Sequence, residues 1–149
     1  MSRTTQQIIA AILGAAFLVA GALKAWDPAG FAVDIQNYRI PFLPWVGGAL
    51  LALYLPWLEI VCGLALMARI GYRGALAMTA ALLVIFLAAI ASTRLRGLDI
   101  SCGCFGHGVH RGFWTELIQD AVMLGVALWL LRADFRPLSP VIKNNGSAK

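Results

Sequence analysis

The chain has 149 residues, which suits one domain; 60% of them are hydrophobic and 13% are charged. Soluble proteins average about 45–50% apolar and about 25% charged residues, so this composition excludes a disordered chain and disfavours a water-soluble domain. The net charge is +5 and the mean hydropathy is +0.79. We therefore expect a protein that lies in a lipid bilayer, and no nucleic-acid partner.

Four apolar stretches are each long enough to cross a bilayer, which takes about 20 residues of helix. They cover about residues 8–25, 45–67, 74–93 and 113–132. Their apolar runs are continuous rather than alternating, which argues against a β-barrel. We predict a single membrane domain over residues 1–149, an all-α integral membrane four-helix bundle.

The first stretch follows Arg3 and imitates a secretory signal peptide, but its apolar run is slightly long for one, so we expect it to remain as a helix. The side of the membrane that holds both termini carries slightly more Lys and Arg than the other side. The positive-inside rule then predicts cytoplasmic N- and C-termini. Residues 94–112, between the third and fourth stretches, would face the periplasm or the extracellular space.

Residues 94–112, here called the cysteine loop, concentrate the reactive side chains of the chain. They contain Cys102, Cys104, His107 and His110, together with several glycines. Reactive side chains on a loop above a rigid scaffold are the usual layout of a functional site. We therefore expect the chemistry of the protein in this loop.

Cys102 and Cys104 are separated by one residue, and a disulfide between them requires a backbone bend that Gly103 permits. The small ring would be strained, and strained, exposed disulfides are oxidising and exchange readily. Arg94 and other arginines of the loop favour the thiolate, which is the attacking species. The pair is therefore a candidate catalytic thiol–disulfide centre.

Two other interpretations of the loop remain open. The cysteines can form a purely structural disulfide or stay as inert thiols, although a one-residue ring adds little stability. Alternatively, Cys102, Cys104, His107 and His110 bind copper or zinc, although their C-x-C-x₂-H-x₂-H spacing differs from the usual C-x₂₋₄-C of structural zinc sites. The histidines can also be solvated loop residues.

A few charged residues fall inside or at the ends of the apolar stretches, where ionisable groups are costly and often functional. Glu59 should face the bundle interior, either protonated or paired with a cation or a backbone group. We expect Lys24, at the end of the first stretch, to extend its ammonium group toward the interface. Asp120 is a candidate acceptor for Arg94 or Lys24, or a carrier of protons to the thiols. Cys62 is expected to be a small buried apolar residue.

Residues 27–44 alternate apolar and polar side chains, which predicts a short interfacial helix or a hairpin. Tyr38, Trp45 and Trp114 are candidate anchors at the membrane interface, where aromatic residues are enriched.

The segment RGLDISCGCFG at 96–106 resembles the signature of the methylamine utilization protein MauE family, relatives of the DoxX-like membrane proteins. The pentapeptide CGCFG at 102–106 is its specific part. Weaker matches are LPWLEIVCGLAL at 55–66, which includes Glu59, and QDAVML at 119–124. Together with matches around Lys24, they extend the resemblance over nearly the whole chain.

The resemblance implies a four-helix protein of the bacterial inner (plasma) membrane that helps to form disulfides in the small subunit of methylamine dehydrogenase. It implies a thiol–disulfide role for Cys102 and Cys104, and a thioredoxin-like or cysteine-rich periplasmic partner. A quinone is a candidate electron carrier if a cleft lies near Glu59, Lys24 or Asp120. The leading hypothesis is thus a thiol–disulfide oxidoreductase, with metal handling or non-catalytic assembly as alternatives.

Overall fold

The computed structural model describes residues 3–39, 44–97 and 113–134, and every regular element within these ranges is a helix. The five helices are α1 (Arg3–Trp26), α2 (Pro28–Asn37), α3 (Trp45–Ala68), α4 (Tyr72–Leu95) and α5 (Phe113–Asp134). All except α2 are long and apolar enough to cross a membrane, with candidate spans of 21 to 24 residues. At about 1.5 Å of rise per residue, each covers the roughly 30 Å hydrocarbon core. The predicted all-α membrane bundle is confirmed.

The four long helices run alternately up and down and close into a ring. Gly21 of α1 lies against Pro56 of α3, whereas the earlier Gly14 lies against the later Gly63, so α1 and α3 are antiparallel. A three-residue turn reverses the chain between α3 and α4. Arg73, at the start of α4, bonds Asp134 at the end of α5. Contacts of α5 with α1 complete the ring.

One end of this ring, here called the loop end, carries the connection from α4 to α5. The alternating directions place the end of α1 and the start of α3 there as well. The short helix α2 lies at this end and packs mainly against α3. The cysteine loop therefore begins and ends at the same end of the bundle as α2.

The first connection, predicted as either a short interfacial helix or a hairpin, forms the helix α2. Asp27 caps it by accepting a hydrogen bond from the Gly30 N–H at 2.9 Å, and Pro28 occupies its first turn, where no N–H donor is needed. Asp34 is 5% exposed whereas Val33 is 53% exposed. The buried face thus follows the helical period and includes the carboxylate of Asp34.

Exposed tryptophans surround the loop end. Trp26, Trp45 and Trp114 are 91%, 70% and 65% exposed, and each lies at the end of a spanning helix on this side. Indole rings in such positions anchor helices at the membrane–water interface. Tyr38, which the sequence suggested as another anchor, is instead buried at the end of α2.

Helices α1 and α3 approach closely because glycines face each other across their contact. A Cβ atom on Gly63 would lie 2.6 Å from the carbonyl oxygen of Gly14 and 2.8 Å from the backbone nitrogen of Leu18. Backbone atoms cannot move away as a flexible side chain would. In lipid, where apolar helix surfaces gain little by leaving their solvent, such close packing is a main source of helix association.

We expect Gly63→Ala to destabilise the bundle by about 1–3 kcal/mol, the usual range for overpacking a tight contact. Thermal unfolding in one detergent measures the effect. Gly125→Ala is the matched control, since a Cβ at this position in α5 meets nothing within 4 Å. The control should be neutral or slightly stabilising because alanine favours helix over glycine. Equal loss in both variants would contradict the close approach of α1 and α3.

Candidate functional site

The predicted reactive residues Cys102, Cys104, His107 and His110 lie in the segment 98–112, outside the described residues. The structure does describe the residues on either side of this segment. Gly97 follows the last turn of α4, and α5 begins at Phe113. The cysteine pair is therefore carried by a connection whose two ends belong to neighbouring, packed helices.

Arg96 attaches the start of the cysteine loop to α2. Its Nη1 donates to the carbonyl oxygen of Arg39 at 2.6 Å, and its Nη2 donates to that of Tyr38 at 2.6 Å. Its Nε also donates to the Ser92 carbonyl at 3.0 Å. The last carbonyls of a helix have no intrahelical donor and carry partial negative charge, which suits a guanidinium group. Arg94, the arginine singled out from the sequence, is exposed in the last turn of α4.

Lys24 and Glu59 form a buried ion pair, which corrects the expectation that Lys24 reaches the interface. The Nζ of Lys24 lies 2.6 Å from Oε1 and 2.8 Å from Oε2 of Glu59, and the two side chains are 3% and 1% exposed. The ammonium group points into the bundle because both carboxylate oxygens of Glu59 accept hydrogen bonds from it there. A charge pair at this distance interacts far more strongly in a low-dielectric interior than in water.

Two aromatic rings enclose the ammonium group of Lys24. The Nζ lies 4.9 Å from the ring centre of Phe86 on α4 and 5.4 Å from that of Phe31 on α2. Both distances fall within the range of cation–π attraction, about 6 Å from the ring centre. Helices α1, α2, α3 and α4 thus all contribute to the surroundings of one cation.

Asp120 brings α5 to the same place. A cavity of about 20 Å³ is lined by Lys24, Glu59 and Asp120, with Phe86 and Gln119 among the other lining residues. Asp120 is 5% exposed, and its Oδ2 has no hydrogen-bond partner among the described residues. The three intramembrane charges that the sequence singled out are thus gathered around one small cavity. Arg94 is not part of its lining.

The charged cluster, meaning Lys24, Glu59 and Asp120, lies on the loop-end side of the bundle. Asp120 is seven residues after Phe113, the first residue of α5. At about 1.5 Å per residue, this corresponds to about 10 Å of helix. Lys24 is likewise within the last turn of α1 at this end. A buried polar centre therefore lies below the end of the bundle that carries the cysteine loop.

A family comparison matches residues 2–133, nearly the whole chain, to the family described as "Methylamine utilisation protein MauE". The chain belongs to the MauE family. A curated relative, "Methylamine utilization protein MauE" of Paracoccus denitrificans, is 32% identical over 114 residues. The match covers 75% of this chain and 60% of the relative's length. No solved structure matches the chain.

Cys62 occupies a different part of this MauE-family bundle. It is buried on α3, 4% exposed, one turn after Glu59 and thus further from the loop end. This agrees with the expected small buried apolar residue. Within 3–39, 44–97 and 113–134, no group of three or more His, Cys, Asp or Glu residues is arranged to hold a metal ion.

Two contributors to the site in this MauE-family chain, Phe31 and Phe86, were not predicted from the sequence, and Arg96 was predicted only as a charge that favours the thiolate, without its contact with α2. The helical spacing of Phe31 and Asp34 was available as a signal for the buried face of α2, but the competing alternation obscured it. Phe86 is one of several large apolar residues in its span, so no pattern distinguishes it. The contact of Arg96 with α2 depends on how α4 ends beside it, which periodicity does not report.

Proposed function

We propose that this MauE-family chain is a membrane thiol–disulfide oxidoreductase that supports disulfide formation in, or maturation of, a periplasmic protein. The observation that carries the proposal is the Cys102-Gly103-Cys104 segment in the connection between α4 and α5. Arg96, six residues before Cys102, fixes the start of this connection to the end of α2. A pair presented from a fixed base is suited to exchange with a protein partner.

The exchange reaction transfers two electrons from the partner's dithiol to the Cys102–Cys104 disulfide. A partner thiolate attacks one sulfur of the Cys102–Cys104 disulfide, forming a mixed disulfide and releasing the other cysteine as a thiolate, which takes up a proton. The partner's second thiolate then breaks the mixed disulfide. The partner is oxidised by two electrons, and the Cys102–Cys104 pair is reduced to a dithiol. Strain in a one-residue ring favours this direction.

A further turnover requires an acceptor for two electrons and two protons from the reduced pair. A membrane quinone is the class of carrier that satisfies this balance: the dithiol becomes a disulfide and the quinone becomes a hydroquinone. The four spanning helices give the chain access to the bilayer in which such a carrier dissolves. The acceptor is proposed on this chemical balance alone.

The proposed process is methylamine utilisation, after the name of the Paracoccus denitrificans relative. The partner would be a thioredoxin-like or cysteine-rich protein of the periplasm. We propose that the chain lies in the bacterial inner membrane with cytoplasmic termini. Arg69 and Arg73, at the turn opposite the loop end, support this orientation through the positive-inside rule.

A trapped mixed disulfide tests the proposal. A single-cysteine variant cannot hold the Cys102–Cys104 disulfide, but its remaining thiolate can attack a disulfide of the oxidised partner and form the same mixed disulfide from the reverse direction, releasing a partner thiolate. Because the second cysteine that would close the Cys102–Cys104 ring is absent, Cys102→Ser or Cys104→Ser should accumulate a covalent complex in cells. Non-reducing electrophoresis, followed by mass spectrometry of the complex, detects the partner. The complex should disappear on reduction and in the double variant.

Cys62→Ser is the matched control, because Cys62 is buried in α3 and should not exchange with a periplasmic protein. Adding this change to either single variant should leave the complex intact. If neither single variant yields a complex with any protein while the partner's disulfides still form, the proposed redox function is wrong.

A further inference from the structure

The cavity beneath the loop end is lined by more acidic groups than basic ones. Glu59 and Asp120 contribute two carboxyl groups, and Lys24 contributes one ammonium group. Lys24 and Glu59 neutralise each other at 2.6 Å. An ionised Asp120 would therefore add a negative charge without a matching positive charge among the residues that line the cavity.

Asp120 has the surroundings of a group that holds a proton. Only 5% of Asp120 is exposed, and no residue in the described ranges donates a hydrogen bond to its Oδ2. Burying an uncompensated carboxylate costs several kcal/mol, and a group in such a place becomes neutral instead. Lys24, which lines the same cavity, already donates hydrogen bonds to both carboxylate oxygens of Glu59.

The cavity also has room and partners for a water molecule. A volume of about 20 Å³ exceeds the roughly 10–15 Å³ that one water requires. An ammonium group has three N–H donors, and Glu59 receives two of those of Lys24. A water that accepts the third and bonds Oδ2 of Asp120 would satisfy both groups.

We propose that Asp120, the Lys24–Glu59 pair and one water form a buried proton-binding site. The carboxylate of Asp120 accepts a proton from hydronium, giving a carboxylic acid and water, and no electrons move. The water bonds Oδ2 in both states, as a donor to the carboxylate and as an acceptor from the acid. This inference goes beyond the proposed thiol chemistry and does not depend on it.

The charged groups around Asp120 come from three helices. Lys24 faces the cavity from α1 and Glu59 from α3, whereas α4 contributes the apolar Leu83 and Phe86. On α5 itself, Glu116 lies one turn earlier; it is 6% exposed but does not line the cavity. Glu116 therefore offers a matched control, a second buried carboxyl group on the same helix.

Infrared difference spectroscopy of the full chain in lipid nanodiscs, recorded between high and low pH, tests the site. The wild type should show the C=O stretch of a buried carboxylic acid that shifts on exchange into D₂O. Asp120→Asn should lose this band, and Glu116→Gln should keep it. A water O–D stretch that shifts in D₂¹⁸O should accompany the band and vanish in Asp120→Leu.

The wild-type spectrum alone can overturn the proposal if no carboxylic acid band forms at any pH at which the protein stays folded, so the test does not depend on the folding of a variant. A band that persists in Asp120→Asn, or that is lost in Glu116→Gln instead, also overturns it. Absence of the water band overturns the hydrated form. Thiol exchange by Cys102 and Cys104 can succeed or fail without changing any of these outcomes.

Discussion

Lys24→Met is expected to destabilise the bundle by about 3–5 kcal/mol, the usual loss when one partner of a buried ion pair is removed. Methionine is unbranched and can fill the space of the lysine stem. The carboxylate of Glu59, 1% exposed, would then have no cation at hydrogen-bond distance among the residues that the structure describes. Denaturant or thermal unfolding in one detergent measures the loss.

The double variant Lys24→Met/Glu59→Met distinguishes a lost charge pair from lost packing. Replacing both partners of a buried pair by apolar residues of similar volume is often neutral, so most of the stability should return. Asp120 remains in this variant, and at a pH at which it holds its proton it leaves no uncompensated charge. A double variant as unstable as Lys24→Met would contradict the pairing as the source of the effect.

Arg73 and Asp134 provide a control pair at the same distance but with different burial. Their N–O distance is also 2.6 Å, yet the Arg73 and Asp134 side chains are 61% and 32% exposed. Exposed ion pairs contribute about 0–1 kcal/mol because water and salt screen them. Arg73→Ala should therefore lower stability far less than Lys24→Met. Similar losses would mean that burial does not determine the strength of these pairs.

The spanning helices could be predicted from the sequence because bilayer thickness imposes one length on all of them. Their ends could not be read from hydropathy. Helix α1 begins at Arg3, before the apolar stretch, because the polar residues 4–7 include no glycine or proline to end a helix. The helical state of α2 was one of two alternatives, since a ten-residue segment offers few turns over which to distinguish a period of 3.6 from one of 2.

The charged residues of the site could be selected from the sequence, but their arrangement could not. Lys24, Glu59 and Asp120 are conspicuous because ionisable residues are rare in lipid. Their meeting depends on the register of α1 against α3, set by glycine contacts such as Gly14 with Gly63. The direction of Lys24 was wrongly predicted because a lysine near a helix end can reach either the interface or the interior. The direction of Lys24 is set by the carboxylate of Glu59, which lies 35 residues later in the chain.

Loss of either loop cysteine is expected to abolish disulfide formation in the partner. Cys102→Ser and Cys104→Ser each leave one thiol, which can form a mixed disulfide but cannot complete a two-electron exchange. Each single variant should therefore be as inactive as the double variant, because residues that act as a unit show non-additive effects. The cellular ratio of oxidised to reduced partner should fall to the level of a strain that lacks the chain.

The measurement is maleimide–polyethylene glycol labelling of the partner's free thiols after acid quenching, which separates reduced from oxidised partner on a gel. Cys62→Ser should keep the wild-type ratio, since its thiol is buried in α3 and lies further from the loop end than Glu59. The comparison requires that every variant is present in the membrane at the same abundance. Partial, additive losses in the single variants would indicate independent thiols rather than a pair. Full activity in both would favour a non-catalytic assembly role, in which the bundle surface, and not the cysteines, supports the partner.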